Sequence, residues 1–235
     1  MADYQQIYRE RAADYHRLVA AEDASGALGG WLGGALPEGA DEVLDAGAGT
    51  GRVAALVARA RPGARLVCAD AAPAMLEELA RRWPTDLGSA PETVVADYRD
   101  LPFASARFDA VTAGWALGHL TGFHPDRWRE EARRALDELT RVTRRGGVVA
   151  IFETLGTGAP APRPPRGDLG ALYALFEADG FSRTELRTDY RFGSRAEAEA
   201  LATFFFGESM VAHLRDDAGG VTLIEWTGAW RREVV

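Results

Sequence analysis

Three glycines spaced two apart, at 47, 49 and 51 in VLDAGAGTGR, follow directly on an apolar run and precede a helical pattern. Glycine at such a turn lets the backbone bend tightly and leaves room for a ligand, while the helix start beyond it offers N–H groups with no intrahelical partner. That combination suits a bound nucleotide. Acids stand at the ends of three successive apolar runs: Asp45 in VLDAG, Asp70 in LVCAD and Asp97 in VVADY. One carboxylate can accept from two hydroxyls at once, and the recurrence of an acid at successive strand ends argues against chance. Asp45 has a second reading, as a carboxylate capping backbone N–H groups of the turn. His119, past the fourth apolar run, carries the side chain best poised to take a proton near neutrality. Its plainer reading is a loop histidine satisfied by backbone groups. The other histidines, at 16, 124 and 213, complete no i, i+4 pair of the helical zinc type, and no metal is expected. Cys68 is the single cysteine and lies inside an apolar run, so it reads as a buried small hydrophobe, with no disulfide framework.

The elements that must position these residues alternate. EVLDAG reads as a strand, RVAALVARA as a helix, RLVCAD as a strand, and APAMLEELARRW as a helix closed by Pro84. TVVAD and FDAVTAGWAL follow as strands, then a charged amphipathic helix over 126–143 and the buried strand GGVVAIFET. Such alternation implies a parallel sheet with helices on both faces. Before it, Tyr4 to Leu32 reads as helical, with Tyr8, Tyr15, Leu18 and Val19 near helical spacing and a glycine-rich break at Gly29 to Gly34. After it come a Pro/Gly-rich loop, the helix DLGALYALFEADG and the strand-like TELRTDYRF. A helix ending in Phe204 to Phe206, a short helical piece and a last strand, VTLIEWTGAW, complete the chain. The expected organisation is one domain over 1–235. It comprises an N-terminal helical lid (1–38), a cofactor-binding core (39–155) and an acceptor-side half with inserted helices (156–235).

A dinucleotide fingerprint would place its last glycine at 52, where Arg52 stands; the G-x-G-x-G found here instead resembles the first motif of class I S-adenosylmethionine-dependent methyltransferases. The resemblance runs from about Tyr15 to Trp230. It implies an α/β, Rossmann-like doubly wound sheet of seven mostly parallel strands with the last antiparallel, and S-adenosylmethionine as cofactor. Gly47, Ala48, Gly49 and Gly51 would then form the cofactor turn, with Asp45 at the strand end. Asp70 would hold both ribose hydroxyls, Ala71 and Met75 would flank the adenine, and Asp97 with Tyr98 would meet its exocyclic amine. FDAVTAGWALGHL resembles the motif that borders the methyl group, which makes Trp115 a wall of the site and His119 the candidate catalytic base. Two alternatives stay open: a non-methylating enzyme or binding module of the same fold, and an NAD(P)-dependent oxidoreductase.

Absences narrow the acceptor. An Asp/Asn-Pro-Pro-aromatic motif of amino-methylating DNA enzymes is replaced by AGWALGHL, and the Asp/Asp/Asn set of metal-dependent catechol methylators cannot be assembled without an asparagine. Cys68 is misplaced for an RNA cytosine nucleophile. The net charge of −8, with all 27 basic residues arginine, repels a phosphate backbone. A small-molecule acceptor is expected, methylated at oxygen or nitrogen, the acidic balance leaning toward an amine. Nucleic acid is not expected as a partner. No stretch approaches the roughly 18 apolar residues that span a bilayer, and the N-terminus lacks an apolar signal core, so no membrane partner and a cytoplasmic location are expected. The oligomeric state stays open, a homodimer included.

Overall fold

A computed structural model of the protein describes residues 4–235. Its centre is β1 (Glu42–Ala46), flanked in parallel by β2 (Arg65–Asp70) and β4 (Phe108–Gly114), so that Leu44 pairs with Val67 on one side and Val111 on the other. Both faces of these strands are buried, which is why the sequence runs apolar there without alternation. Further out lie β3 (Glu92–Val95), β5 (Thr143–Thr154) and β6 (Ser182–Arg187). The chain's last strand, β10 (Trp226–Glu233), enters antiparallel between β5 and β6, giving the order β3-β2-β1-β4-β5-β10-β6. This is the doubly wound, seven-stranded sheet that the alternation and the resemblance imply.

Helices cover both faces. On one, α7 (Trp128–Val142) and α8 (Asp168–Ala178) pack Trp128, Leu139, Tyr173 and Phe176 with Trp230 of β10. On the other, α3 (Ala27–Ala35) and α4 (Arg52–Ala60) pack Leu28, Leu32, Val53 and Val57 against Phe152. The α5 helix (Pro73–Arg82) starts with proline at its first position, where the missing N–H costs nothing, and buries Met75, Leu76 and Leu79.

Several expectations need correction. Gly29 to Gly34 do not break the N-terminal helix but lie inside α3; Leu28 and Leu32, one turn apart and buried on α4, outweigh glycine's helix penalty through packing. The break lies earlier, after α1 (Tyr4–Glu10) and α2 (Ala12–Ala20), where Gly26 takes a φ of 73°. Because α3 packs on α4, it belongs to the sheet's flank, while α1 and α2 bring Tyr8 and Tyr15 over the strand ends; residues 1–3 of the expected lid lie outside the described residues. The run FDAVTAGWAL is strand only to Gly114, after which Trp115 turns at a φ of 51°. TELRTDYRF divides into β6 and β7 (Tyr190–Phe192), and VTLIEWTGAW into β9 (Gly220–Leu223) and β10. With β8 (Arg215–Asp217), the strands β7 and β9 form a second, antiparallel sheet, packed on α9 (Arg195–Phe206) through Leu201, Ala202 and Leu223. Among the described residues no helix is long and apolar enough to cross a membrane.

Candidate active site

A cleft of about 440 Å³ opens at the carboxyl ends of β1 to β4. Its centre is where the chain's path reverses, β2 and β4 lying on opposite sides of β1, the position at which open α/β sheets bind ligands. The glycine turn forms its floor. Gly49 has a φ of 54°, and a Cβ built there would stand 3.4 Å from Met75 Cε and 3.8 Å from Tyr15, within the space between those side chains. Gly47 is closed in differently: its Cβ would lie 2.7 Å from Ala116 Cβ. Gly51 does not line the cleft, since a Cβ there would meet Leu79 Cγ at 2.7 Å; this glycine lets α5 pack on the start of α4.

The three strand-end acids differ in what they hold. Asp45 is buried, accepts from Thr112 Oγ1 at 2.7 Å, its register partner on β4, and from the Ala54 N–H of α4 at 3.0 Å. Burial pushes its carboxyl up to about 7 against the pull of those bonds. The capping role is therefore what its two oxygens perform. Asp70 accepts from Gly49 N–H and Ala72 N–H, each at 2.8 Å, one on each oxygen. A carboxylate has about four acceptor positions, so two remain on Asp70. Asp97 lines the cleft too, but Arg99 occupies it: the Arg99 N–H and Nε bond Oδ1 at 2.9 Å, and Oδ2 takes Nη2 at 2.6 Å and Nε at 3.1 Å. Burial pushes the Asp97 carboxyl up, yet the Arg99 bonds prevail and hold it below the usual carboxylate range. Tyr98 donates from its hydroxyl to the Ala116 carbonyl at 3.2 Å, bracing the cleft wall.

Beyond β4 the walls become aromatic. Leu117–His119 forms a 3₁₀ turn that carries His119 into the cleft, where its Nε2 lies 2.7 Å from the Tyr8 hydroxyl. Burial pushes His119 down to about 4, so the imidazole is neutral at physiological pH. Trp115 lies under the Arg52 guanidinium, 3.3 Å from its ring centroid, and Arg52 is paired with Glu22. Behind the turn stands Glu153, 4% exposed, whose Oε1 accepts from the Gly118 N–H at 2.8 Å. Burial raises the Glu153 carboxyl to about 8, leaving it a neutral acid.

Asp45, Gly47, Ala48, Gly49, Asp70, Ala71, Met75, Asp97, Tyr98, Trp115 and His119 thus come together around one cleft. The run Phe204 to Phe206 stays outside it: Phe204 lies under Arg11, Phe205 backs Tyr4 and Tyr15, and Phe206 packs on Tyr190. Cys68 is buried in β2 and burial pushes its thiol up. Among the described residues, no group of three or more His, Cys, Asp or Glu side chains is placed to hold a metal ion. The sequence reading passed over Arg99, Glu22 and Glu153, and counted Arg52 only against a dinucleotide. Arg99 alone had a local signal, two residues from Asp97.

The cleft fits S-adenosylmethionine: Asp70 keeps acceptors for a ribose, and the Gly49 backbone lies bare where a side chain would obstruct a ligand. A profile of the methyltransferase domain family matches residues 44–151. Demethylmenaquinone methyltransferase of Thermus thermophilus is 33% identical over 142 residues, 60% of this chain and 57% of that protein. Ubiquinone/menaquinone biosynthesis C-methyltransferase UbiE of Desulfotalea psychrophila is 32% identical over 197 residues, 80% of this chain and 73% of that one. The chain thus spans little more than half the length of the Thermus relative. Among solved structures, the [4+2]-cyclase SpnF superposes with a TM-score of 0.58 at 18% identity, over 90% of this chain and 82% of that one, a likeness of fold.

Proposed function

The chain belongs to the class I S-adenosylmethionine-dependent methyltransferases, and on that premise we propose that it methylates a small acceptor carrying a ring hydroxyl, a phenol or hydroquinone. The observation that carries this reading is the neutral His119–Tyr8 pair at the aromatic end of the cleft. In the cofactor half, the free acceptors of Asp70 take the ribose hydroxyls, the Gly47–Gly49 backbone lies along the ligand, and Ala71 and Met75 flank the adenine. Asp97 meets the adenine amine only where Arg99 gives up an acceptor position. Trp115 walls the site beside the methyl group. When bound, S-adenosylmethionine supplies a methyl group already activated on sulfur. The chain aligns that methyl with the acceptor, and alignment contributes up to about 7–11 kcal/mol in well-oriented small-molecule reactions.

A hydroxyl-bearing ring needs one thing more, a destination for its proton. The imidazole of His119 has a lone pair to offer throughout the neutral range; removing the O–H proton completes methylation at the ring oxygen, whereas at the carbon beside it the ring C–H proton must also leave as the oxygen regains one. Relatives whose names specify a demethylmenaquinone or a C-methyltransferase favour the carbon. The test is incubation of the protein with S-adenosylmethionine and a panel of hydroquinones, phenols and amines, reading S-adenosylhomocysteine and methylated product. Product from the hydroquinones is expected. Turnover confined to amines refutes the hydroxyl reading, and cofactor binding without S-adenosylhomocysteine from any acceptor favours a non-methylating protein. Tight binding of NADH in place of S-adenosylmethionine would instead favour the oxidoreductase.

A further inference from the structure

His119 is enclosed on three sides. Phe123 stacks on its ring at 5.4 Å between centroids, Tyr4 leans on it at 5.2 Å, and the Tyr8 hydroxyl stands 2.7 Å from Nε2. Tyr8 itself lines the cleft and is held edge-on by the Tyr15 ring at 5.3 Å. Both side chains line the cleft, and because the Tyr8 oxygen lies against Nε2, a proton path from an acceptor to that nitrogen can run through the Tyr8 hydroxyl. We propose that Tyr8 is a catalytic residue, relaying the acceptor's proton to His119. The inference rests on the hydroxyl-acceptor reading above.

The step balances. The acceptor O–H bond breaks and its proton passes to Tyr8 Oη as the Tyr8 O–H proton passes to His119 Nε2, leaving tyrosine unchanged and histidine as imidazolium. The electron pair released on the acceptor forms the new bond to the methyl carbon, and the old bond's pair stays on the donor's sulfur. One positive charge moves from sulfur to imidazole, so the buried site creates no net charge, and the cost of charging a desolvated histidine is offset by the charge lost at sulfur. Tyr8 keeps its proton until then. Burial, joined by Tyr15, Tyr4, Asp70 and Glu153, raises its hydroxyl well above the ordinary range. Donation from Tyr8 to Nε2 requires the resting imidazole proton on Nδ1, and this is open to direct observation.

The experiment compares the wild type, Tyr8→Phe, His119→Ala and the double variant, with 1,4-dihydroxynaphthalene as probe acceptor and S-adenosylhomocysteine affinity as the control for an intact cleft. Loss of a proton-transfer group lowers the rate by about 100- to 10,000-fold. Tyr8→Phe and His119→Ala should both fall in that range, and the double variant should be no slower than the slower single one, because the two residues act as one path. In ¹⁵N-histidine-labelled protein, Nε2 of His119 should be an unprotonated acceptor whose resonance moves in Tyr8→Phe. Wild-type turnover in Tyr8→Phe, or losses that multiply in the double variant, would overturn the relay, as would a His119 Nε2 resonance indifferent to Tyr8. A wild type that methylates amines and no hydroxyl-bearing ring overturns the acceptor reading and the relay with it. That outcome is distinct from a failed relay, in which wild type and Tyr8→Phe methylate the probe equally.

Discussion

Replacing Glu153 by glutamine should change how stability depends on pH, in a direction opposite to that of an ordinary ion-paired carboxylate. The Glu153 carboxyl is held at about 8, against an ordinary 4.5, because it is buried and accepts only backbone N–H groups. Below 4.5 both folded and unfolded chains hold the proton and the group is without effect. As pH rises through the window from 4.5 to 8, the unfolded chain loses its proton first, so unfolding is increasingly favoured, at about 1.4 kcal/mol per pH unit. Allowing for curvature at both ends, the loss from pH 5 to pH 8 amounts to about 3–4 kcal/mol. Glutamine keeps a carbonyl for the Gly118 N–H and does not titrate. Glu153→Gln should therefore match the wild type near pH 5 and exceed it at pH 8 by about 7–14 °C in melting temperature, at 2–4 °C per kcal/mol for a domain of this size. Asp45 and Glu225, also raised by burial, and His119, lowered by it, titrate in both proteins and cancel from the difference. Thermal melts of the two proteins at pH 5, 6, 7 and 8 measure it. Parallel curves would mean that Glu153 is already ionised at pH 5, and would refute the neutral acid behind the Leu117–His119 turn.

Asp70→Ala should weaken S-adenosylmethionine binding by about 10- to 100-fold, the worth of hydrogen bonds to a charged group, and calorimetric titration of the folded variant decides it. Gly49→Val should abolish cofactor binding with the fold retained by circular dichroism, because a β-branched side chain would project between Met75 and Tyr15 from a backbone with a φ of 54°; unchanged affinity would show that the turn serves packing alone. His119→Ala should slow methyl transfer by about 100- to 10,000-fold at nearly constant cofactor affinity. Since burial holds His119 at about 4 instead of 6.5, the acidic limb of the wild-type pH–rate profile should lie near pH 4. A limb near 6.5 would mean that the imidazole is solvated in the working enzyme.

The sheet was legible because its central strands are buried on both faces and so write themselves as unbroken apolar runs, with helices between them spaced for parallel crossovers. What escaped was set by contacts distant in sequence. The glycines of α3 argue locally for a loop, and only the packing of Leu28 and Leu32 on Val53 and Val57 makes them helical. The small antiparallel sheet is assembled from strands of three or four residues, too short for periodicity to register, and its β7–β9 pairing joins Tyr190 to Leu223 and Phe192 to Val221. The long run ending in GAW had to divide at Glu225, a buried carboxyl that accepts from Thr154, because its two halves join different sheets.

The two halves of the cleft differed in legibility for the same reason. The residues proposed to hold the cofactor stand at or just beyond the ends of successive strands, so topology alone brings Gly49, Asp70 and Asp97 together once the strand order is known. Their finer states depend on neighbours: Asp45 spends its oxygens on Thr112 and Ala54, and Asp97 its own on Arg99. The proposed acceptor half is built from distant pieces, with Tyr8 meeting His119 across 111 positions and Glu153 supporting Gly118 across 35. No motif encodes such meetings, because the same aromatic and acidic residues appear wherever a helix needs an apolar stripe or a strand end needs a polar residue. On the proposed reading, exchange of Tyr8 or of the walls around His119 should change the acceptor while cofactor affinity stays fixed, which product analysis beside S-adenosylhomocysteine titration checks.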